Sequence, residues 1–422
     1  MKKMKKIMLA FSAAMTCSAV LAVAEQEKDG IRLLGERLTL RPYVSLYYTY
    51  DSNIDSTKHS KSGSSWTVSP GLNADYADDR WDINGGIDYS YHAYNNYSRS
   101  LNSSSLRERL MIGWKNSAAN ERGWTARIGQ HYALISQDDD MSNSNGRGIG
   151  RDRTEWGFNA LVERRVNQHL HAALTAGYYY LKYDNDSNKY APMYGWRRVD
   201  GGGQIGWAIG DYTDFFLDAK YHEDWQDNKK NKRRGVTEDP KRSNISSKSK
   251  GYSLHAGIGT RATEKIQYRL SGGWSHYEYG GGARKSNRFT YNVSGTWRVN
   301  NTTAVSLMGS SYYQPSERDY GASLMTYNAS LGISKLIIPN KLTLTFDTSY
   351  RYETHDYVQY AGDDYDTHIM TYRGRVVYRI NKWVSAFVSA EYQAERAKGG
   401  DVSGHYYDYD RIRGIFGMSL TY

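Results

Sequence analysis

The sequence predicts an all-β protein, an antiparallel up-and-down transmembrane β-barrel of about 18 strands. Three observations predict this fold. Segments of about a dozen residues alternate between apolar and polar side chains along most of the chain. Tight turns and longer polar connections join these segments alternately, and tryptophans recur beside the tight turns. Together these features are typical of strands that cross a membrane with one face toward lipid and the other toward water.

The hairpin at 331–353 shows the alternation most clearly. In its second arm, Leu344 and Phe346 share one parity, while Thr345 and Asp347 share the other. Because successive side chains of a strand point to opposite faces, this arm has one apolar face and one polar, charged face. The remaining strands repeat this pattern.

The composition excludes a helical membrane protein. Hydrophobic residues make up 39% of the chain and the mean hydropathy is −0.75. After the first 24 residues, no stretch approaches the roughly 20 apolar residues that a spanning helix needs. A barrel explains these values because only alternate strand residues meet lipid. The 39 tyrosines and 11 tryptophans also suit a membrane–water boundary.

The domain organisation follows from the beginning of the chain. Residues 1–24 have the basic start, apolar middle and small-residue end of a signal peptide. Residues 25–38 form a short periplasmic lead-in, and 39–422 form the barrel. Cleavage after Ala24 removes the only cysteine, Cys17, and lowers the net charge from +10 to about +6, because four lysines leave with the signal peptide.

An even number of strands places both termini on one side of the membrane, which is also the side of the short turns. Because short turns are normally periplasmic in bacterial barrels, we expect both termini in the periplasm. The predicted strands are 39–50, 65–77, 81–93, 104–115, 124–135, 153–166, 169–183, 197–209, 213–226, 251–262, 265–279, 287–299, 302–314, 322–337, 341–353, 366–380, 383–395 and 409–422. Six tryptophans lie within a few residues of the short turns, and we expect them to form one aromatic girdle at the periplasmic boundary. They are Trp81, Trp114, Trp124, Trp207, Trp297 and Trp383.

The first strand leaves toward its loop through Tyr50, Asp51, Ser52, Asn53 and Ile54. This exit resembles the putative β-barrel porin 2 family. The resemblance implies an outer-membrane barrel, and some family members resemble components encoded with exopolysaccharide export systems. Asp51 and Asn53 are also good turn residues, which predicts a structural role at the barrel rim. The alternating last strand, which ends on Tyr422, resembles the signal recognised by the barrel insertion machinery.

Charged residues concentrate on the polar parity, which faces the lumen. Six arginines on this parity are candidates for a pore wall that attracts anions. They are Arg107, Arg109, Arg373, Arg375, Arg411 and Arg413. The alternative is that these arginines pair across strands with Asp347, Glu353, Glu391 and Glu395, which would stiffen the wall without giving selectivity.

The sequence therefore predicts a multi-pass barrel in the outer membrane of a Gram-negative-type bacterium. Its predicted function is passive diffusion of small hydrophilic solutes, with a mild preference for anions. The alternatives are a component of exopolysaccharide export, with export proteins as partners, and a structural or adhesive barrel with a blocked lumen. Other expected partners are outer-membrane lipid and lipopolysaccharide, but not nucleic acid.

We expect no enzyme activity, cofactor or metal. Asp218, His222 and Asp224 share the lumen parity of one strand and form the best acid–base candidate. They spread over about 20 Å at roughly 3.3 Å per residue, which is too wide for one site.

Overall fold

The computed structural model describes residues 30–54, 61–95, 102–116, 123–136, 152–183, 195–210, 212–227, 247–260, 265–316, 322–357, 365–399 and 408–422. The signal-peptide prediction, 1–24, falls outside these ranges. The strands are β1 (Ile31–Leu33), β2 (Leu38–Asp51), β3 (Gly63–Ala77), β4 (Trp81–Tyr94), β5 (Ser103–Lys115), β6 (Gly123–Ser136), β7 (Arg153–Arg165), β8 (Leu170–Tyr183), β9 (Trp196–Ala208), β10 (Thr213–Gln226), β11 (Lys248–Thr260), β12 (Ile266–Tyr279), β13 (Arg284–Asn300), β14 (Thr303–Pro315), β15 (Ala322–Ile338), β16 (Leu342–Tyr357), β17 (Tyr365–Arg379), β18 (Val384–Gly399) and β19 (Tyr409–Thr421). A 3-10 turn, Gly280–Gly282, joins β12 to β13.

Strands β2 to β19 form a closed antiparallel barrel of 18 strands, as the alternation predicts. Each strand pairs with the next, and β19 pairs with β2 from Arg413↔Asp51 to Thr421↔Tyr43. The ends of the predicted strands differ from the observed ends by at most four residues. The two largest differences are the ends of β16 (353 predicted, 357 observed) and β18 (395 and 399), where cross-strand pairing continues past the clear alternation.

The predicted lead-in contains a short hairpin. Strand β1 pairs with Leu38–Leu40 of β2, beside the part of β2 that β19 does not reach. Leu34, Gly35 and Glu36 turn the chain with φ values of 52°, 64° and 68°. This left-handed turn brings β1 back onto the barrel wall as an additional edge strand.

The barrel has its apolar face outside and its polar face inside. On β16, Leu344 and Phe346 are 42% and 44% exposed, whereas Thr345 and Glu353 on the other parity are buried. Because the exposed apolar side chains recur on every second residue, they form an apolar outer wall that hydrocarbon covers in a membrane. Among the described residues, no helix is long and apolar enough to span a membrane.

The two predicted classes of connection are confirmed at opposite ends of the barrel. One end, here called the turn end, carries the connections 78–80, 116–122, 166–169, 209–212, 261–265, 301–302, 339–341 and 380–383. The opposite end, the loop end, carries the longer connections, such as the one from Gln226 to Lys248. Two connections at the loop end, 280–283 and 316–321, are short exceptions.

Several tight turns share one side-chain device. Oδ1 of Asp78 accepts hydrogen bonds from the main-chain N–H groups of Arg80 and Trp81, at 2.8 and 2.7 Å. Asn167 and Asn381 accept the equivalent pairs at 2.8–2.9 Å. The N–H donors, that of Trp81 first, hold the pKa of the Asp78 carboxyl below its ordinary value. These side chains replace water as hydrogen-bond partners and fix short turns between long strands.

Candidate functional site: a charged lumen and an inward arm

A row of five charged residues crosses the strand pair that closes the barrel. The row runs Asp347, Arg373, Glu391, Arg413, Asp51, and each residue is the direct register partner of the next, from β16 to β2. All five lie on the lumen parity. Acids and arginines alternate along the row, so each arginine lies between two carboxylates.

Ion pairs join most of this row. Nε of Arg373 donates to Oε2 of Glu391 at 2.7 Å, and Nη1 of Arg413 lies 3.7 Å from Oε1 of the same glutamate. Nε of Arg413 also donates to Oδ2 of Asp51 at 3.0 Å. The row therefore links β17, β18, β19 and β2 through their side chains as well as through the main chain.

Asp51 is the best-connected carboxylate of this site. It is 5% exposed and also accepts from Nε and Nη2 of Arg411, with Nε at 2.8 Å from Oδ2. Arg411 is 3% exposed, so this pair is buried. The N–H of Asn53 donates to Oδ1 of Asp51 at 2.9 Å. A fork-shaped guanidinium satisfies a buried carboxylate better than an ammonium would.

The Tyr50–Ile54 segment closes the loop end of the β2–β19 pair. The main-chain N–H of Ser52 donates to the carbonyl of Ile412 at 2.9 Å, and Ile412 donates back to Oγ of Ser52 at 2.8 Å. Nδ2 of Asn53 donates to the carbonyl of Asp410 at 3.1 Å. These bonds join residues more than 350 positions apart, so the segment acts at the point where the chain closes on itself.

The six predicted lumen arginines fall into two groups. Arg373, Arg411 and Arg413 lie in the ion pairs described above, the arrangement of the cross-strand alternative. Arg107, Arg109 and Arg375 are exposed in the lumen, and none makes an ion pair with a described residue. Arg109 donates to Oδ1 of Asn73 at 3.1 Å, and the Arg375 guanidinium lies 4.6 Å from the centre of the Phe387 ring.

A second feature begins where β13 and β14 part. They pair only from Asn292↔Ser310 to Asn300↔Thr303. Beyond this point β13 continues to pair with β12, as far as Arg284↔Tyr279, and β14 continues to pair with β15. The main-chain hydrogen-bond ladder between these two strands therefore ends at this point; nearer the loop end, side-chain bonds join them, such as the one from the Tyr291 N–H to Oγ of Ser311 at 2.7 Å. We call residues 311–315 of β14 and the following Ser316, with 323–326 of β15, the inward arm.

The inward arm packs on the lumen face of β12. The Tyr313 ring stacks on Tyr277 with a centroid distance of 4.9 Å and an interplanar angle of 4°. Met325 and Tyr279 complete this cluster, in which each side chain is at most 3% exposed. Tyr313 has the parity of Leu307, which meets lipid, so the outer face of the arm lies against the inner face of the neighbouring wall.

Two polar side chains attach the inward arm farther around the wall. Nη2 of Arg198, on β9, donates to the carbonyl of Tyr313 at 2.8 Å. Nε2 of Gln226, at the end of β10, donates to the carbonyl of Ser316 at 2.5 Å. These partners are five and four strands from β14. The arm therefore extends across part of the loop end of the lumen and narrows it.

A buried ion pair supports this attachment. Asp224 is fully buried and accepts from Nε and Nη2 of Arg198 at 2.6 and 3.0 Å and from the Tyr277 hydroxyl at 2.9 Å. His222 lies 3.7 Å from the same carboxylate, and Asp218 lies 3.2 Å from Lys220. The Asp218–His222–Asp224 set is thus divided between two ion pairs, one of which anchors the arm.

The six girdle tryptophans all lie at the turn end. Trp81 and Trp114 are direct register partners on β4 and β5, and Trp207 and Trp297 are about half exposed on the apolar face. Trp383 stacks on Tyr422, with ring centroids 4.5 Å apart. A ring of aromatic side chains at one level marks a membrane–water boundary.

A closed barrel with an apolar outer wall, an aromatic girdle and a charged lumen defines an integral outer-membrane β-barrel of the Gram-negative type. The family model described as putative beta-barrel porin 2 matches residues 222–414, a little under half of the chain. This match confirms the family resemblance over β11 to β18 and parts of β10 and β19. The Tyr50–Ile54 segment lies outside it.

Solved structures similar to this chain include two receptors and an iron transporter. A mutant ferric enterobactin receptor (PfeA) from Pseudomonas aeruginosa is 9% identical, with a TM-score of 0.41, and the match covers 91% of this chain and 80% of that one. The siderophore receptor PirA from Acinetobacter baumannii is 8% identical, with a TM-score of 0.43 and coverages of 94% and 81%. The FrpB iron transporter from Neisseria meningitidis is 8% identical, with a TM-score of 0.43 and coverages of 90% and 81%. No curated protein matches the chain.

Proposed function

We propose that this protein is an outer-membrane channel that passes small hydrophilic solutes by diffusion, with its turn end and both termini in the periplasm. The observation that carries the proposal is the closure of 18 strands around a polar, charged lumen. Barrels of about this size enclose an aqueous space, whereas an eight-stranded barrel is filled by its own side chains.

The lumen charges support a preference for anions through one group of arginines. Arg373, Arg411 and Arg413 face carboxylates at ion-pair distance, so their charges are largely balanced. Arg107, Arg109 and Arg375 are exposed to the lumen and are the positive groups that a passing ion would meet. Charges along a narrow lumen are only partly screened, so they act on the passing ion.

The inward arm favours a second candidate, a barrel whose lumen is closed at the loop end. The arm is attached to β9, β10 and β12 and covers part of that end. Export of exopolysaccharide is the third candidate, since the family resemblance implies it for some relatives. It would require periplasmic partner proteins, which affinity purification from cells would recover.

Planar bilayer recordings of the purified protein test the proposal. We expect stepwise conductance from the unmodified protein and a larger unit conductance from the Tyr313→Ala, Gln226→Ala double variant. This variant loses one ring stack and two hydrogen bonds, that of Gln226 with Ser316 and that of Tyr313 with Ser286. Each contributes about 1 kcal/mol to docking of the arm. Ser69→Ala is the matched control, because Ser69 bonds Ser90 in the lumen away from the arm. Silent insertion of both folded proteins would contradict a channel, and conductance in the variant alone would favour the closed barrel.

A further inference from the structure

The outer wall carries a groove of about 660 Å³ at the place where the inward arm leaves it. Tyr291 of β13 lies on one side, and its hydroxyl donates to the carbonyl of Asn328 on β15, at 3.1 Å, past the withdrawn end of β14. The groove continues across β15 to β18 and ends at Lys398. The groove therefore lies on the outside of the barrel, at the place where the end of β14 turns inward and narrows the lumen.

The main lining residues lie on the lipid-facing parity. Tyr327 shares the parity of the exposed Leu331 and Ile333, and His368 shares that of the exposed Met370. Tyr352 has the parity of Leu344 and Phe346 in the same way. The groove therefore opens outward, toward the membrane, and a lumen solute does not pass through it.

The depth of the groove places it at the edge of the hydrocarbon. Tyr327 and His368 are each 11 residues from the turn-end limits of their strands, Ile338 and Arg379. At about 3.3 Å per residue and a tilt of about 40°, this distance is about 28 Å along the membrane normal, compared with an apolar band about 25 Å tall. Lys398 is three residues farther along β18, counted from Val384, and reaches the polar layer.

The lining combines aromatic faces with charge. Ring centroids are 6.3 Å apart between Tyr291 and Tyr327, 5.9 Å between Tyr327 and Tyr352, and 5.0 Å between Tyr352 and His368. These rings form a floor of flat faces with polar edges. Lys398 is exposed above it and makes no ion pair with a described residue, while the Asp366 carboxylate lies beside it.

We propose that this groove binds the phosphorylated sugar headgroup of an outer-leaflet glycolipid, lipopolysaccharide. The apolar wall below the groove accommodates acyl chains, the tyrosine floor suits the flat faces and hydroxyls of sugars, and Lys398 attracts a phosphate. This binding site is additional to the proposed channel function. Both proposals require the same orientation, with the loop end outside the cell, and have nothing else in common.

Native mass spectrometry of the purified protein, with bis-phosphorylated lipid A added in detergent, tests the site. We expect saturable binding that Lys398→Gln weakens about fivefold, because one surface cation contributes about 1 kcal/mol to binding an anionic lipid. Asp366→Asn should strengthen binding by a similar factor, since it removes a like charge. Lys335→Gln is the matched control, an exposed lysine on the same outer wall at the turn end, and it should leave binding unchanged.

The chemistry is tested by two further probes. Dephosphorylated lipid A should bind more weakly and lose its sensitivity to Lys398→Gln, and phosphatidylglycerol should bind without saturating at one site. Equal effects of Lys398→Gln and Lys335→Gln, or unchanged binding in both Lys398→Gln and Asp366→Asn, would overturn the proposal. Lipid binding is measured in detergent and does not depend on conductance. The outcome of this test is therefore independent of the outcome of the bilayer recordings that test the channel function.

Discussion

Substitution of Asp51 by asparagine should destabilise the barrel at its closure. Asp51 accepts from Arg411 and Arg413, and the Asp51 and Arg411 side chains are 7% and 4% exposed. Asparagine keeps the shape and one acceptor oxygen but removes the negative charge. The Arg411 guanidinium then stays buried without a counter-charge, which costs about 3–5 kcal/mol.

The matched control is Asp75→Asn, in the hairpin of β2 and β3. Asp75 pairs with Arg41 at 2.5 Å, but the two side chains are 27% and 21% exposed, so water compensates much of the loss. We expect this change to cost about 1 kcal/mol or less. The difference between the two variants isolates the effect of burial from the loss of one lumen carboxylate.

Urea unfolding in detergent micelles, followed by tryptophan fluorescence, measures both changes in the free energy of unfolding. The Asp51→Asn, Arg411→Met double variant should recover most of the stability, because an apolar side chain no longer needs a buried partner. If Asp51→Asn costs no more than Asp75→Asn, the ion pairs between β2 and β19 do not stabilise closure of the barrel and our reasoning is wrong.

Two further predictions concern selectivity and orientation. Reversal potentials in a salt gradient should show a lower anion/cation permeability ratio in the Arg107→Gln, Arg109→Gln variant, because two exposed positive charges are lost. The Arg373→Gln, Glu391→Gln control removes a neutral pair and should leave the ratio nearly unchanged, and equal shifts in both would refute this assignment. A protease added to intact cells should cut within 227–250 and leave the turn between β15 and β16 uncut; cleavage at that turn would reverse the orientation.

Local alternation along the chain is enough to predict the class of fold and most of the strands. In a barrel each strand meets lipid on one face and water on the other, so a local period of two carries the information. Leu344 and Phe346 show their environment without reference to any distant residue. Turn residues such as Asp78 and Asn381 act on neighbours two or three positions away, and for this reason the tight turns were also predictable.

Charge pairing was only partly predictable. Parity places Arg373, Arg413 and Glu391 on the lumen face, but ion pairing also requires that they share a register row. Their rows depend on turn lengths and on the shear of the closed barrel, which no single strand encodes. The sequence therefore left pairing and anion attraction as alternatives. The structure places Arg373, Arg411 and Arg413 in ion pairs and leaves Arg107, Arg109 and Arg375 exposed.

The place where the wall departs from a regular barrel was not predictable from the sequence. Tyr313 has the parity of a lipid-facing residue, yet it is buried inside because β14 leaves β13 and its outer face packs on β12. The partners of this arm, Arg198 and Gln226, come from strands five and four places away. Such contacts depend on the path of the wall through space, and the alternation of β14 is the same whether its end stays in the wall or turns inward.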